Sequence, residues 1–86
     1  MKKPVKSETR RRKSRKTRAG ALLRAARENK GFSLTDVSRG TGLQGGGISH
    51  LENGRSVPTI KTAIILCTFY HLPITKLIDA VKEDEL

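Results

Sequence analysis

The sequence predicts a compact all-α fold of five short helices behind a disordered basic N-terminal arm. Three observations support this prediction. From residue 18 onward, apolar residues recur at the three- and four-residue spacing of amphipathic helices, residues that cap or end helices separate these stretches, and no stretch alternates as a β-strand does. Because 86 residues provide one domain, we expect an arm at 1–17, a folded domain at 18–82 and an acidic tail at 83–86 that frays.

Positive charge is concentrated in the N-terminal segment. The net charge is +10, and residues 1–18 contain ten Lys or Arg against one acid, Glu8, so that this segment has a charge of +9 and the remainder +1. A block of this density with one apolar residue, Val5, buries too little surface to fold. Its expected partners are polyanions, nucleic acid first and an anionic membrane second. A solubilising tail or a localisation signal is the alternative.

The first two helices begin and end at typical residues. The first is expected at about 19–30, because Gly31 follows it as a helix stop. Ser33 is a favourable N-cap for the second helix, and Asp36 three residues later gives a variant of the capping box.

Glycines bound the next elements. Gly40 and Gly42 are expected to end the second helix, and the third, at 44–52, stops at Asn53-Gly54, a pair that favours a turn.

The fourth helix opens at Pro58-Thr59, and a fifth at about 74–81 begins after Pro73. The apolar positions of the fourth helix that follow helical spacing are Ile60, Ala63, Ile64, Cys67 and Tyr70.

The second and third helices have the pattern of a helix-turn-helix unit. Gly42 supplies the positive φ that a tight corner between two short helices requires. The outer face of the third helix is then free to enter the major groove of DNA, which is about 12 Å wide. The apolar residues expected to fix the angle between the two helices are Val37, Leu43, Ile48 and Leu51.

Segments in and around this unit resemble the lambda repressor/Cro-type (XRE family) helix-turn-helix domain. The block from Ile48 to Arg55, with Pro58 shortly after it, is fairly specific. The resemblance covers about residues 20–78 and implies a lambda-repressor-like, DNA-binding domain. The other matching segments are 33–38, 41–43, 58–60 and 72–77.

The chain departs from the family where bases are usually read. The first two positions of the family's recognition helix, and the position five residues later, are Gly45, Gly46 and His50 in this chain. Glycine offers no side chain, and three glycines cost roughly 2–3 kcal/mol of helix stability relative to alanine. Ser38 replaces a common alanine, and Leu34 replaces a glutamine that helps to hold a phosphate.

The resemblance still leaves a set of side chains for DNA. Gln44 is placed to contact a base edge or cap the helix, and Ser49 and His50 lie on its exposed face. Asn53 and Arg55 resemble clamps on the DNA backbone. The arm would wrap the duplex and supply most of the salt-dependent affinity. Its expected contacts are Arg10, Arg11, Arg12, Lys13, Arg15, Lys16 and Arg18.

The glycine triplet, Gly45, Gly46 and Gly47, has three interpretations. The bare main chain could approach DNA closely enough for its N–H groups to bond phosphates. Alternatively, the triplet is a flexible loop that delays the helix to about Gly47. A nucleotide-cradling loop is disfavoured, because no strand precedes the triplet and no Lys-Ser/Thr pair follows it.

The sequence shows no catalytic constellation, and we expect no enzyme activity, metal or cofactor. His50 and His71 are far apart and poorly accompanied, and His71 is expected at a helix end. Cys67 is expected as a buried small hydrophobe, with redox sensing as the alternative. Glu52 is expected to bond local backbone or Arg55.

The location we expect is the cytoplasm, and the nucleoid if the host is bacterial. The single cysteine fits a reducing compartment, and no apolar stretch approaches the 18 residues that a transmembrane helix needs.

The last helix has more apolar surface than one flank of a small core uses. In this family such helices often pair across a two-fold axis, and two half-sites roughly double the contacts with DNA. Packing within the monomer is the alternative. The expected dimer residues are Ile74, Leu77, Ile78 and Val81.

These observations favour a sequence-specific, dimeric repressor that binds a palindromic site on double-stranded DNA. Two alternatives stay open: an antitoxin or accessory regulator whose helix-turn-helix binds a protein partner, and a non-specific DNA-coating protein driven by the arm.

Overall fold

The computed structural model describes residues 16–86, so residues 1–15 of the disordered arm expected at 1–17 lie outside them. Within the described range the chain forms five helices and no strand, which confirms the all-α fold. The helices are α1 (Arg18–Asn29), α2 (Leu34–Thr41), α3 (Gly45–Glu52), α4 (Ile60–Tyr70) and α5 (Ile74–Asp84).

Polar side chains begin the first two helices as their sequence indicates. Thr17, expected in the arm, is instead the N-cap of α1, and its hydroxyl accepts a hydrogen bond from the Gly20 N–H at 3.0 Å. Ser33 and Asp36 form the predicted capping box, with the Ser33 N–H donating to the carboxylate at 2.8 Å and the Asp36 N–H donating to the hydroxyl at 3.0 Å. The hydrogen bond from the Ser33 backbone N–H, and after it one with the Ser33 side chain, lower the pKa of the Asp36 carboxyl.

Residues with positive φ follow four of the helices: Gly31, Gly42, Gly54 and His71. Gly31, predicted as the stop after α1, has φ 74°. His71 has φ 58° and is the C-cap of α4, which confirms its expected place at a helix end. Gly40 lies inside α2 and not at its end. A Cβ added at this position would collide with the ring of Phe69.

One core joins all five helices. The helix α1 packs against α3 and α5, and α2 packs against α3 and α4. The side chains buried most completely come one from each helix, which explains why the short elements stabilise one another. They are Leu23, Val37, Ile48, Leu66 and Leu77.

Helix α4 turns a different face to the core than the spacing predicted. Ala63, Cys67 and Tyr70 are buried as expected, but Ile60 and Ile64 are 69% and 49% exposed. Because α4 is apolar around most of its circumference, its periodicity does not select one face. The side chain that completes the buried face is Leu66.

Helix α5 is longer than predicted. It continues as a helix through the acidic segment as far as Asp84. The Asp84 carboxylate accepts hydrogen bonds from the N–H groups of Arg18 at 2.7 Å and Ala19 at 3.0 Å. The segment expected to fray is therefore hydrogen-bonded, through Asp84, to the start of α1.

Candidate nucleic-acid interface

The corner between α2 and α3 is fixed by a chain of short hydrogen bonds. Gly42 has φ 80° and donates its N–H to the Ser38 carbonyl at 2.8 Å. The Ser38 hydroxyl donates to the Leu43 carbonyl at 2.6 Å. The Thr41 hydroxyl donates to the Val37 carbonyl at 2.7 Å and accepts from the Leu43 N–H at 3.1 Å. Ser38, where the family often has alanine, thus closes the turn that sets the angle of α3.

The inner face of α3 packs against the core and its outer face is open. Ile48 and Leu51 are 2% and 7% exposed, whereas Gly46, Gly47 and His50 are exposed. The helix begins at Gly45, so the interpretation of the triplet as a loop before the helix is wrong. An added Cβ at any of the three glycines would meet no atom within 4 Å. The first turn of α3 is therefore a strip of accessible main chain.

Two further predicted contact residues lie on the outer side of α3. Gln44 is exposed and is the N-cap by its backbone, but its side chain makes no capping hydrogen bond. Ser49 is half-buried, and its hydroxyl accepts a hydrogen bond from the Asn53 amide at 3.3 Å.

The C-terminal end of α3 is held by a buried ion pair. Arg27 of α1 donates two hydrogen bonds to Glu52, Nε to Oε2 at 2.7 Å and Nη2 to Oε1 at 2.9 Å, and a third to the Phe32 carbonyl at 3.0 Å. The two charged side chains are only 12% and 3% exposed. Hydrogen bonding to Glu52 raises the pKa of Arg27. Sequence reasoning assigned Glu52 to local partners and missed this one, which lies 25 residues away.

Close backbone packing places α1 directly against the same end of α3. A Cβ added at Gly20 would lie 2.6 Å from the Glu52 carbonyl oxygen and 2.7 Å from that of Leu51. Because these neighbours are backbone atoms, they cannot move aside easily. Gly20 and the ion pair together determine how α3 is presented.

Two titratable side chains of α4 are buried in the core. The Tyr70 hydroxyl is buried and has no hydrogen-bond partner among the described residues. Its burial, aided by the negative charge of Glu52 and opposed by the positive charge of Arg27, raises the pKa of Tyr70 to about 12. Cys67 is 4% exposed, as expected for a small core residue, and burial raises the pKa of its thiol.

The structure describes only the last two of the predicted arm cations. Lys16 is exposed, and the Arg18 guanidinium lies 3.5 Å from the Glu83 carboxylate on α5. The turn after α3 presents Arg55, which is exposed and donates its N–H to the His50 carbonyl at 2.9 Å. The other arm residues, Arg10, Arg11, Arg12, Lys13 and Arg15, lie outside the described range.

The four predicted dimer residues do not share one environment. Leu77 is 1% exposed and belongs to the core of the monomer, so its side chain is not available to a partner. Ile78 is 37% exposed, and Ile74 and Val81 are half-buried.

Over residues 16–86, no helix has the length and apolar character needed to cross a membrane.

Comparison with known proteins agrees with this architecture. A family model described as a helix-turn-helix domain matches residues 20–83. The transcriptional regulator ClgR of Mycobacterium tuberculosis, from strains CDC 1551/Oshkosh and H37Rv, is 37% identical over 62 residues, which are 71% of this chain and 55% of that protein. The chain thus spans about half the length of these curated relatives.

A solved structure shares the fold. The S. venezulae BldD DNA-binding domain superposes with a TM-score of 0.64 at 28% identity, covering 71% of this chain and 91% of that domain. With the corner at Gly42 and the family match over residues 20–83, these similarities place the chain in the XRE-type helix-turn-helix family.

Proposed function

We propose that this chain is a sequence-specific DNA-binding regulator of transcription, acting as a dimeric repressor at a palindromic operator. The observation that supports it most is that α3 packs its inner face against the core and leaves its outer face open to solvent. The helix is held rigidly from behind by α1 and α2, and its outer face, with Gly46, Gly47 and His50, is open. A helix fixed in this way meets the geometric requirement for insertion into the major groove.

In this proposal, base recognition is divided between side chains and main chain. Gln44 and His50 are the exposed side chains near the start and middle of α3, and both can hydrogen-bond to base edges. The bare first turn of α3 allows its backbone to approach a phosphate or base without steric hindrance. Ser49 supports Asn53, which together with Arg55 contacts the DNA backbone beyond the helix.

The N-terminal segment supplies the electrostatic part of the affinity. Residues 1–18 have a charge of +9 and the remaining chain only +1, so the folded surface alone attracts DNA weakly. Neutralising several phosphates releases counterions and makes the binding steeply salt-dependent.

Dimerisation would use a face formed by α4 and α5. A groove of about 280 Å³ is lined by Ile64 and Ile74 and so connects the two helices. Ile60 lies one turn before Ile64 on α4, and Ile78 lies one turn after Ile74 on α5, and both are exposed. This face extends the sequence prediction, which placed the contact on α5 alone. A second copy related by a two-fold axis would cover the same residues on both chains.

Repression requires the least of a DNA-binding domain, because occupying an operator blocks polymerase without any further contact. The similarity to the transcriptional regulator ClgR supports a role in transcription.

A protein-binding role is the second candidate, and one observation favours it. Val57, Ile60 and Ile64 are all at least 49% exposed, and such exposed apolar surface is typical of contacts with proteins. A non-specific DNA-coating protein would instead depend on the basic segment alone.

The three functions are separated by selection from a random DNA library followed by a mobility shift at about 150 mM salt. The proposal predicts enrichment of a palindromic sequence and a strong preference for it over random DNA. Binding to both DNAs with equal affinity would indicate a coating protein, and no binding to either would favour the protein-interaction role.

A further inference from the structure

An apolar groove lies beside the first turn of α3. It has a volume of about 320 Å³, and its lining combines Gln44 and Gly47, from the start of α3, with Val57 and Pro58, from the segment that joins α3 to α4. Ile48, which is 2% exposed, also lines it, so the groove reaches the core of the domain. This Val57 groove separates the start of the candidate recognition helix from the start of α4.

Two of these residues leave the Val57 groove accessible. Gly47 is exposed, and a Cβ added to it would meet no atom within 4 Å, so α3 contributes only main chain at this position. The Val57 side chain is apolar, yet it is 62% exposed. Exposed apolar surface that lines a groove and is left uncovered by the described part of the chain is typical of a contact with a partner.

The Val57 groove is continuous with the face of α3 that we propose to read DNA. Gln44 belongs to both, because it lines the groove and is exposed near the start of the helix. Gly46, on the open face, and Gly47, in the groove, are consecutive and both exposed. When the outer face of α3 enters the major groove of DNA, the base edges next to Gln44 therefore reach the Val57 groove.

The chemistry of the Val57 groove selects among the groups that DNA presents. None of the described residues that line it is charged, so the lining offers no ion pair to a phosphate. The Thr59 hydroxyl already donates to the Thr62 hydroxyl at 3.1 Å and accepts from the Thr62 N–H at 3.2 Å. In the major groove the base edges present polar donors and acceptors, and the thymine C5-methyl group is the apolar exception. A thymine methyl group is therefore what this lining fits.

We propose that the Val57 groove binds the C5-methyl group of a thymine, so that Val57 determines sequence preference although it lies outside α3. This inference depends on the proposed DNA-binding function and adds a base contact that needs no hydrogen bond. The methyl group exchanges water for contact with the Val57 and Pro58 side chains. Burial of one such group changes affinity about fourfold.

The test compares thymine with deoxyuridine in a selected operator. Deoxyuridine lacks only the C5-methyl group and keeps the donor and acceptors of thymine, so the substitution isolates the apolar contact. Each thymine of one half-site is replaced in turn, and fluorescence anisotropy measures the affinity of the wild type, Val57→Ala and Ile60→Ala in the full chain. Ile60 is the matched control, since it is 69% exposed and does not line the groove. Circular dichroism checks that each protein is folded.

We expect deoxyuridine at one position to weaken wild-type binding about fourfold. At that position the ratio of the affinities for the thymine and deoxyuridine duplexes should fall close to one in Val57→Ala, because the apolar contact is already lost. Ile60→Ala should keep the wild-type ratio, whatever its effect on absolute affinity.

The same ratio above one in the wild type and in Val57→Ala would overturn the inference, because the methyl group would then be bound elsewhere. So would an operator without thymine, or one in which no deoxyuridine weakens wild-type binding. In these three cases the protein still prefers its operator, and the proposed function stands. If the wild type did not prefer the selected operator to a scrambled duplex, the proposed function would fail together with this inference, and this preference is measured first.

Discussion

Arg27 of α1 and Glu52 of α3 form a buried, doubly hydrogen-bonded ion pair that joins the first helix to the end of the candidate recognition helix. The guanidinium also donates to the Phe32 carbonyl, and so it connects the loop before α2 to the same point. Pairs of this kind hold geometry more reliably than they add stability, because both charges lose hydration when they are buried. We infer that its main consequence is a fixed angle of α3.

Removing one partner of this pair should therefore be severe. Glu52→Gln leaves Arg27 charged and without its carboxylate, which we expect to cost about 3–5 kcal/mol of unfolding free energy. The double variant Arg27→Met with Glu52→Leu removes both charges and should recover most of the loss. Urea unfolding of the three proteins checks this. If Glu52→Gln unfolded within about 0.5 kcal/mol of the wild type, the pair would have no such role.

Tyr70 gives a prediction about pH. Its pKa is raised to about 12 from 10.0, so the Tyr70 hydroxyl ionises at a higher pH in the folded chain than in the unfolded chain. The stabilisation is complete below pH 10 and declines as the pH rises through 12, by about 1.4 kcal/mol at pH 11. Tyr70→Phe lacks this ionisation and serves as the reference for urea unfolding at pH 9 and pH 11. If both proteins lost the same stability between these pH values, the assignment would be wrong.

The same variant tests the hydroxyl without a partner. Because the buried Tyr70 hydroxyl makes no hydrogen bond with the described residues, its removal at pH 7 should be neutral or stabilising. A loss of more than about 1 kcal/mol would show that the hydroxyl has a partner, such as bound water.

Gly46→Ala separates helix stability from DNA contact. Alanine fits the free helix, because nothing lies within 4 Å of the added Cβ, and it should add about 0.5–1 kcal/mol of stability. If the main chain approaches DNA closely, the methyl group collides there and affinity falls although stability rises. Thr75→Ala, at an exposed position of α5, is the matched control that favours the helix without changing α3. Higher stability with unchanged affinity would exclude close approach at this glycine.

Ile78→Asp tests the proposed dimer. The monomer should tolerate the charge at this exposed position, while sedimentation should show loss of the dimer and a mobility shift should show weaker binding to a palindrome. Lys76→Glu, on the opposite side of α5, should leave the dimer intact. Leu77→Asp is unsuitable, because Leu77 is buried and a carboxylate at this position in the core would unfold the domain. A monomeric wild type, with and without DNA, would contradict the proposal.

Local signals explain which parts of this fold the sequence predicted. The capping box at Ser33 and Asp36 and the corner at Gly42 depend on residues within three or four positions, so their patterns could be recognised directly. The partners Arg27 and Glu52 are separated by 25 positions, and no periodicity connects them.

Other features became visible only when the helices were packed. The exposure of Ile60 depends on which side of a nearly all-apolar helix meets its neighbours. The end of α5 is held by the Asp84 carboxylate, which accepts hydrogen bonds from the N–H groups of Arg18 and Ala19, more than sixty positions earlier in the chain. Both are decided by tertiary contacts and not by local sequence.

The central claim is that α3 reads DNA sequence, and the most direct measurement is the ratio of affinities for a selected operator and a scrambled duplex at about 150 mM salt, for the wild type and His50→Ala. We predict a wild-type ratio of about 10³ or more. His50→Ala should lower it about tenfold, because it removes one base contact and leaves the non-specific affinity nearly unchanged. A wild-type ratio close to one would contradict sequence reading altogether. An unchanged ratio in the variant would contradict the role of His50.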